Sequence, residues 1–365
     1  MSGRGQILSH TGLRGAAALM VVMYHLGFGA PYLLPPERVI DIFRRSYLFV
    51  DFFFLLSGFV LAYVYFGERR SPFSGREARD FIVARIARVY PLHLASLFLL
   101  LAFHAAISSI AAAGIIKEPQ PAPGDAAQFA AHLVLAQSWG FFNDVGWNIP
   151  SWSISTEFAA YLAFPLVVFA LVRARWVATA AMLIFSIAFY AHICATTGNL
   201  DLTVGVAIAR CFAGFFLGVA IYLGRDPSRP LTSRTLSAIQ IVSVIAMLAL
   251  FEFTANDAFL IAPFAALVWA TWEDRGAVAA ALGRPVMTKL GDWSYAVYLL
   301  HLPIIHIIGF FYWRTLGRPE MLPDPLARVL WIALIYAATI AAARFAYQRF
   351  EMPARKAIVR KFSRR

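Results

Sequence analysis

The chain has 365 residues, 60% of them hydrophobic and 14% charged, with a formal net charge of +12. A soluble fold of this length runs nearer half apolar and a quarter charged, and could not hide the excess. The even spread of apolar segments excludes a string of soluble domains and predicts one membrane domain over residues 1–365; arginine-loaded loops account for the positive charge, and no basic soluble module with aromatic platforms supports a nucleic-acid role. Cys194 and Cys211 both fall inside apolar segments, and the chain has no HExxH and no CxxC. Neither a disulfide framework nor a metal site is expected.

A membrane-spanning helix needs roughly 20 mostly apolar residues. Ten segments qualify: about 8–28, 47–66, 89–110, 154–172, 176–195, 204–223, 235–252, 256–272, 293–312 and 326–347. The predicted fold class is therefore all-α, a polytopic membrane bundle of about ten transmembrane helices.

The first predicted helix carries Arg14 and His25; Arg14 interrupts the apolar run after Arg4, so the segment reads as an uncleaved membrane helix and not a signal peptide. Eleven residues at 3.6 per turn is almost three turns, so both lie on one face, roughly 16 Å apart along the axis. Ionisable groups inside a membrane are costly and mostly functional or paired. The pair is read either as a site or as a snorkelling arginine beside a packed histidine. The second helix, YLFVDFFFLLSGFVLAYVY, holds Asp51 near one end, where a buried carboxylate must find a cation or donor; His25 is a candidate. Ser57-Gly58 near its middle suits helix packing.

The third helix opens FIVARIARVYP. Arg85 and Arg88, at i and i+3, share a face; paired guanidiniums suit bidentate phosphate binding, or they anchor the helix end. A long loop, 111–153, follows. Pro119, Pro121, Pro123 and Gly124 make its start irregular, and residues 126–142 are expected to form an interfacial or re-entrant helix rather than a span. The fourth helix is entered by WNIPSWSISTEFAAY. Its Glu157 lies about one turn in, where it complements the helix dipole or orients His25. Arg210 is a buried cation seeking a partner in the sixth helix. The seventh and eighth helices form a tight hairpin across 252–255. In the ninth, GDWSYAVYLLHLPI, a stripe of Ser294, Tyr295, Tyr298 and His301 lines a cavity or glues helices. Residues 348–365 read as a basic tail.

Most of the 32 basic residues fall on one side when the ten spans alternate from a cytoplasmic N-terminus. The positive-inside rule then puts both termini in the cytoplasm, Arg14, Arg85 and Arg88 toward that side, and His25 toward the other.

Five pieces, LRGAAALMVVMYH (13–25), FVDFFFLLSGFVLAY (49–63), RIARVYP (85–91), PSWSISTEF (150–158) and SYAVYLLHLP (294–303), together resemble the acyltransferase-3 family of membrane acyltransferases, in the family's order and over most of the chain. The resemblance implies transfer of an acyl group, usually acetyl from acetyl-CoA, to a hydroxyl in a bacterial cytoplasmic membrane. It implies as acceptor a cell-surface or exported glycan, lipopolysaccharide sugar, peptidoglycan or antibiotic, with glycan-assembly proteins as possible partners. The family's Arg-x10-His pair maps onto Arg14 and His25, its Arg-x-x-Arg onto Arg85 and Arg88, and its acidic residue onto Glu157. The Asp that often precedes the first-helix arginine is replaced by Thr11-Gly12, and no appended hydrolase-like domain is expected.

On this resemblance Arg85 and Arg88, with Arg14 nearby, hold the phosphates of CoA. His25 is the general base, and Glu157 or Asp51 fixes its tautomer. Oxyanion donors stay open among Ser57, Tyr298 and broken-helix backbone. A transporter or flippase for a lipid-linked sugar also buries Arg, His and Asp in a bundle, and a carrier handing acetyl to a partner enzyme is a third reading.

Overall fold

Every regular element among the described residues is a helix. The structure, a computed structural model, describes residues 5–28, 41–67, 69, 71–116, 123–224, 230–316 and 325–362. Six helical stretches are long and apolar enough to cross a membrane: Ser46–Phe66, Gly75–Ala112, Ser151–Ala195, Ser233–Phe253, Pro285–Phe311 and Leu326–Phe362, with shorter apolar helices at Ala207–Leu223 and Asp257–Thr271. The first helix, α1 (Leu8–Phe28), is not among the six. Its Ser9, His10 and Thr11 are buried, so its polarity faces the bundle interior rather than lipid.

α1 is started by a distant carboxylate. Asp274 accepts from the backbone N–H of Leu8 at 3.0 Å and of Ser9 at 2.7 Å, satisfying donors that the helix itself cannot. A short helix, α2 (Asp41–Arg44), leads through a 3-10 turn to α3 (Phe49–Leu61), which ends in a π-turn at Ala62–Phe66. The next helix, α4 (Gly75–Ala112), is opened by a capping box between Ser74 and Glu77.

Residues 126–142 resolve into one short helix, α5 (Ala126–Leu133), capped by Asp125 and Gln128. Its 8 residues extend only about 12 Å, too little to cross a bilayer core of about 30 Å. Leu135 then takes a left-handed φ of 58°, ending the helical path.

α6 runs from Ser151 to Ala195, 45 residues, with non-helical backbone at Ala174. Its contacts reverse there. Against α3 and α7 (Ala207–Leu223), Trp152 lies beside Phe54 and Arg210. Phe164 lies beside Tyr65 and Phe215, and Arg175 reaches Phe66 and donates to the Leu223 carbonyl. The second half then returns: Ser186 donates to the Ala213 carbonyl, and the Cys194 carbonyl accepts from Asn256. The two segments expected at 154–172 and 176–195 are thus two antiparallel arms of one helical stretch.

The remaining helices are α8 (Ser233–Phe253), α9 (Ile261–Thr271), α10 (Ala277–Leu282), α11 (Pro285–Leu316) and α12 (Pro325–Ala346). The connection from α8 to α9 is tight, as the 252–255 hairpin predicted. The tail is not a loose strand of charge: a π-turn at Tyr347–Glu351 leads into α13 (Met352–Phe362), which returns to the start of α4, where Arg79 donates to the Phe362 carbonyl.

Two close helix pairs hold the site. α3 packs on α7 with backbones touching. A Cβ on Gly58 would meet the Phe215 carbonyl at 1.9 Å, and one on Gly218 the Leu55 carbonyl at 1.9 Å. α1 packs on α11 the same way through Gly291, where a Cβ would lie 1.8 Å from the Thr11 carbonyl. Glycine permits this approach because nothing else fits.

Candidate active site

Arg14 leaves α1 toward α11, and its best hydrogen bond is a long one, 3.5 Å to the Gly291 carbonyl. Arg85, on α4, is caged by aromatic faces. Its guanidinium lies 5.7 Å from the ring centres of Tyr65 and Phe81 and 5.8 Å from Tyr161, and it donates to the Tyr65 hydroxyl at 3.3 Å. Arg88, one turn on, sits over the ring of Tyr295 and donates to Glu351, a fully buried carboxylate from the C-terminal π-turn. The buried Nε atoms of Arg14 and Arg85 have no hydrogen-bond partner.

These three arginines stand where two cavities meet. The outer one, about 410 Å³, is walled by residues 5–7, α4 and the C-terminal segment. The inner one, about 150 Å³, shares Arg14, Arg85 and Arg88 with it and continues to Ser57, Ser153, Glu157 and Tyr298. Within the inner cavity the Tyr161 hydroxyl donates to Glu157 at 2.6 Å, and the hydroxyls of Tyr298 and Ser153 bond at 2.7 Å.

His25 lies beyond this cavity and is not on its wall. Its Nδ1 is 3.0 Å from the Val21 carbonyl and 3.2 Å from Nε2 of His301. A carbonyl can only accept, so Nδ1 carries the proton and Nε2 keeps a lone pair. His301 bridges the gap: its ring centre is 4.8 Å from that of His25 and 6.0 Å from that of Tyr298 on the cavity wall. Tyr24, beside His25, donates to Asp201 at 3.1 Å.

Two expectations are corrected by this layout. Asp51 does not serve His25. Both its oxygens are taken by Arg210, at 2.6 and 3.0 Å, and both side chains are wholly buried. A fork-on-carboxylate pair satisfies a buried aspartate better than one imidazole can. Glu157 does not touch His25 either; its hydrogen bond goes to Tyr161 in the inner cavity. The side chain that does bond the His25 ring is His301, whose membership of the α11 stripe was legible although its partner was not. Ser153 and Tyr161 were missed, although Tyr161 is i+4 from Glu157, a spacing that joins side chains on a helix. Glu351 was missed too, although it is the one acid among the basic residues after Arg344.

Fold and site together define a multi-pass, all-helical membrane protein with charged and hydroxyl groups gathered around an internal cavity. The family model described as an acyltransferase domain matches residues 8–347, and the chain belongs to this acyltransferase-3 family. It is 27% identical to acyltransferase MdmB of Streptomyces mycarofaciens over 359 residues, 91% of this chain and 88% of that protein. It is also 40% identical to protein 2 in the picA locus of Rhizobium radiobacter over 93 residues, 25% of this chain and 42% of that protein. No solved structure matches the chain.

Proposed function

We propose that this membrane acyltransferase moves acetyl from cytoplasmic acetyl-CoA to a hydroxyl of a cell-surface or exported glycan. In this reading it crosses the cytoplasmic membrane ten times, with both termini inside. The observation that carries the reading is a pair of adjoining cavities with three shared arginines, Arg14, Arg85 and Arg88, at the mouth between them, the inner one also lined by Glu157, Ser57, Ser153 and Tyr298. Unpartnered guanidinium nitrogens at the mouth suit a polyphosphate, and the cavity beyond suits a thioester arm.

The acceptor hydroxyl enters from the His25 end. His25 takes its proton at Nε2, while the Val21 carbonyl holds Nδ1–H in place and His301 packs against the ring. The freed alkoxide attacks the thioester carbonyl. Tyr298 or Ser57 donates to the developing oxyanion. The carbon–sulfur bond then breaks, and the departing thiolate receives the proton that His25 took.

The decisive experiment is acetyl transfer by purified His25→Ala. Activity should vanish with expression unchanged; near-normal turnover would sink the assignment of His25 as base. Mass spectrometry of surface glycans from a deletion strain, with an O-acetyl group missing, identifies the acceptor.

A further inference from the structure

The outer cavity has a wall that the RIARVYP motif does not supply. The C-terminal segment returns over the start of α4 and contributes Tyr347, Met352 and Arg355 to the lining. Glu351 and Arg355 are one turn apart, and they divide between two tasks. Glu351 is buried and bound to Arg88. Arg355 is half-buried, faces the cavity, and makes no hydrogen bond or ion pair with any described residue.

The four arginines of the mouth are therefore not equivalent. Arg88 is committed: its charge is neutralised by a buried carboxylate, and a ligand would have to displace Glu351 and leave that acid without its cation, a costly exchange. Arg14 and Arg85 have no carboxylate partner, and each keeps a buried, unpartnered Nε. Arg355 adds a third uncommitted guanidinium, from the C-terminal segment. Against these stands Asp292, the one carboxylate among the described residues of this lining.

We propose that Arg355 is an anion-binding residue of the donor site. The phosphates of the donor are held by Arg14, Arg85 and Arg355, while the Arg88–Glu351 pair fastens the C-terminal segment to α4 and so sets Arg355 in position. The ligand class is a nucleoside polyphosphate; its identity as CoA rests on the function proposed above.

The test is equilibrium binding of CoA, ADP and pantetheine to the purified full chain, for wild type, Arg355→Gln and Lys356→Gln. Lys356 is the exposed neighbour outside the cavity. Arg355→Gln should weaken CoA and ADP by about tenfold, the scale of a hydrogen bond between charged partners, and leave pantetheine unchanged. The salt dependence of ADP binding should flatten in the same variant, while Lys356→Gln binds like wild type. Wild-type affinity for CoA in Arg355→Gln overturns the proposal, and so does an equal loss in Lys356→Gln, which would mark a general surface charge effect. If wild type binds ADP in an Arg355-dependent way but CoA no better than ADP, the anion site stands and the donor assignment fails. If wild type binds neither ADP nor CoA, both fall.

Discussion

Asp51 and Arg210 were each legible as costly buried charges, and each was assigned to find a partner. What could not be read was that they find each other, 159 residues apart, across α3 and α7. The pair adds a stacking contact, with the guanidinium 4.9 Å from the Trp152 ring centre. Breaking a buried pair leaves an uncompensated charge, typically at about 3–5 kcal/mol, whereas replacing both partners by apolar groups is often neutral. Asp51→Ala should therefore lower the melting temperature in detergent sharply, and Asp51→Ala with Arg210→Met should recover much of the loss. An Asp51→Ala protein that melts like wild type yet is inactive would return Asp51 to the chemistry. Arg14 and His25 differ from this pair: the three-turn spacing predicted a shared face, and both do reach the interior, but Arg14 lines the cavity whereas His25 stands behind its wall, next to His301.

Among the elements, the loop 111–153 agrees with the expectation that residues 126–142 form a helix but not a span. Its apolar stretch is not a span but a capped helix followed by turns over a buried polar cluster. Nε2 of His132 lies 2.9 Å from the Val145 carbonyl, Nε2 of His93 lies 2.8 Å from the His132 carbonyl, and the Ser151 hydroxyl sits 3.4 Å from Nδ1 of His132. Burial pushes the His132 imidazole down to about 4. Unfolded, it would bind a proton below about 6.5; folded, only near 4. The unfolded loop thus binds more protons between those values, so the stabilisation is complete above about pH 6.5 and declines as pH falls toward 4. Amide exchange across residues 126–150 should accelerate between pH 7 and pH 5 beyond its intrinsic pH trend, and His132→Gln should remove that excess. The tail shows the converse. A basic run reads as solvated charge, yet Glu351 turns it into a packed element, because an acid so placed can bury itself only against a cation such as Arg88.

For the whole molecule, the balance of basic residues and the reversal at Ala174 make a joint claim about topology. If the two arms of α6 are separate crossings, residue 174 lies on the same side as residue 71, and residue 196 on the opposite side. In a background with Cys194 and Cys211 changed to alanine, Ser71→Cys and Ala174→Cys should react with a membrane-impermeant thiol reagent from the cytoplasmic face, and Thr196→Cys from the outer face. Labelling of Ala174→Cys from outside would break the ten-span topology.

The sequence by itself determined that this is an all-helical membrane protein of the acyltransferase-3 family, because apolar runs and short motifs are local properties carried along the chain. It also determined which charged residues are too costly to be idle. Tertiary structure alone decided their partners on other helices: Asp51 with Arg210, Arg88 with Glu351, His25 with His301. Those pairings depend on which helix faces touch and at what height. That in turn is set by close backbone contacts at Gly58, Gly218 and Gly291, whose geometry no periodicity in one segment can encode.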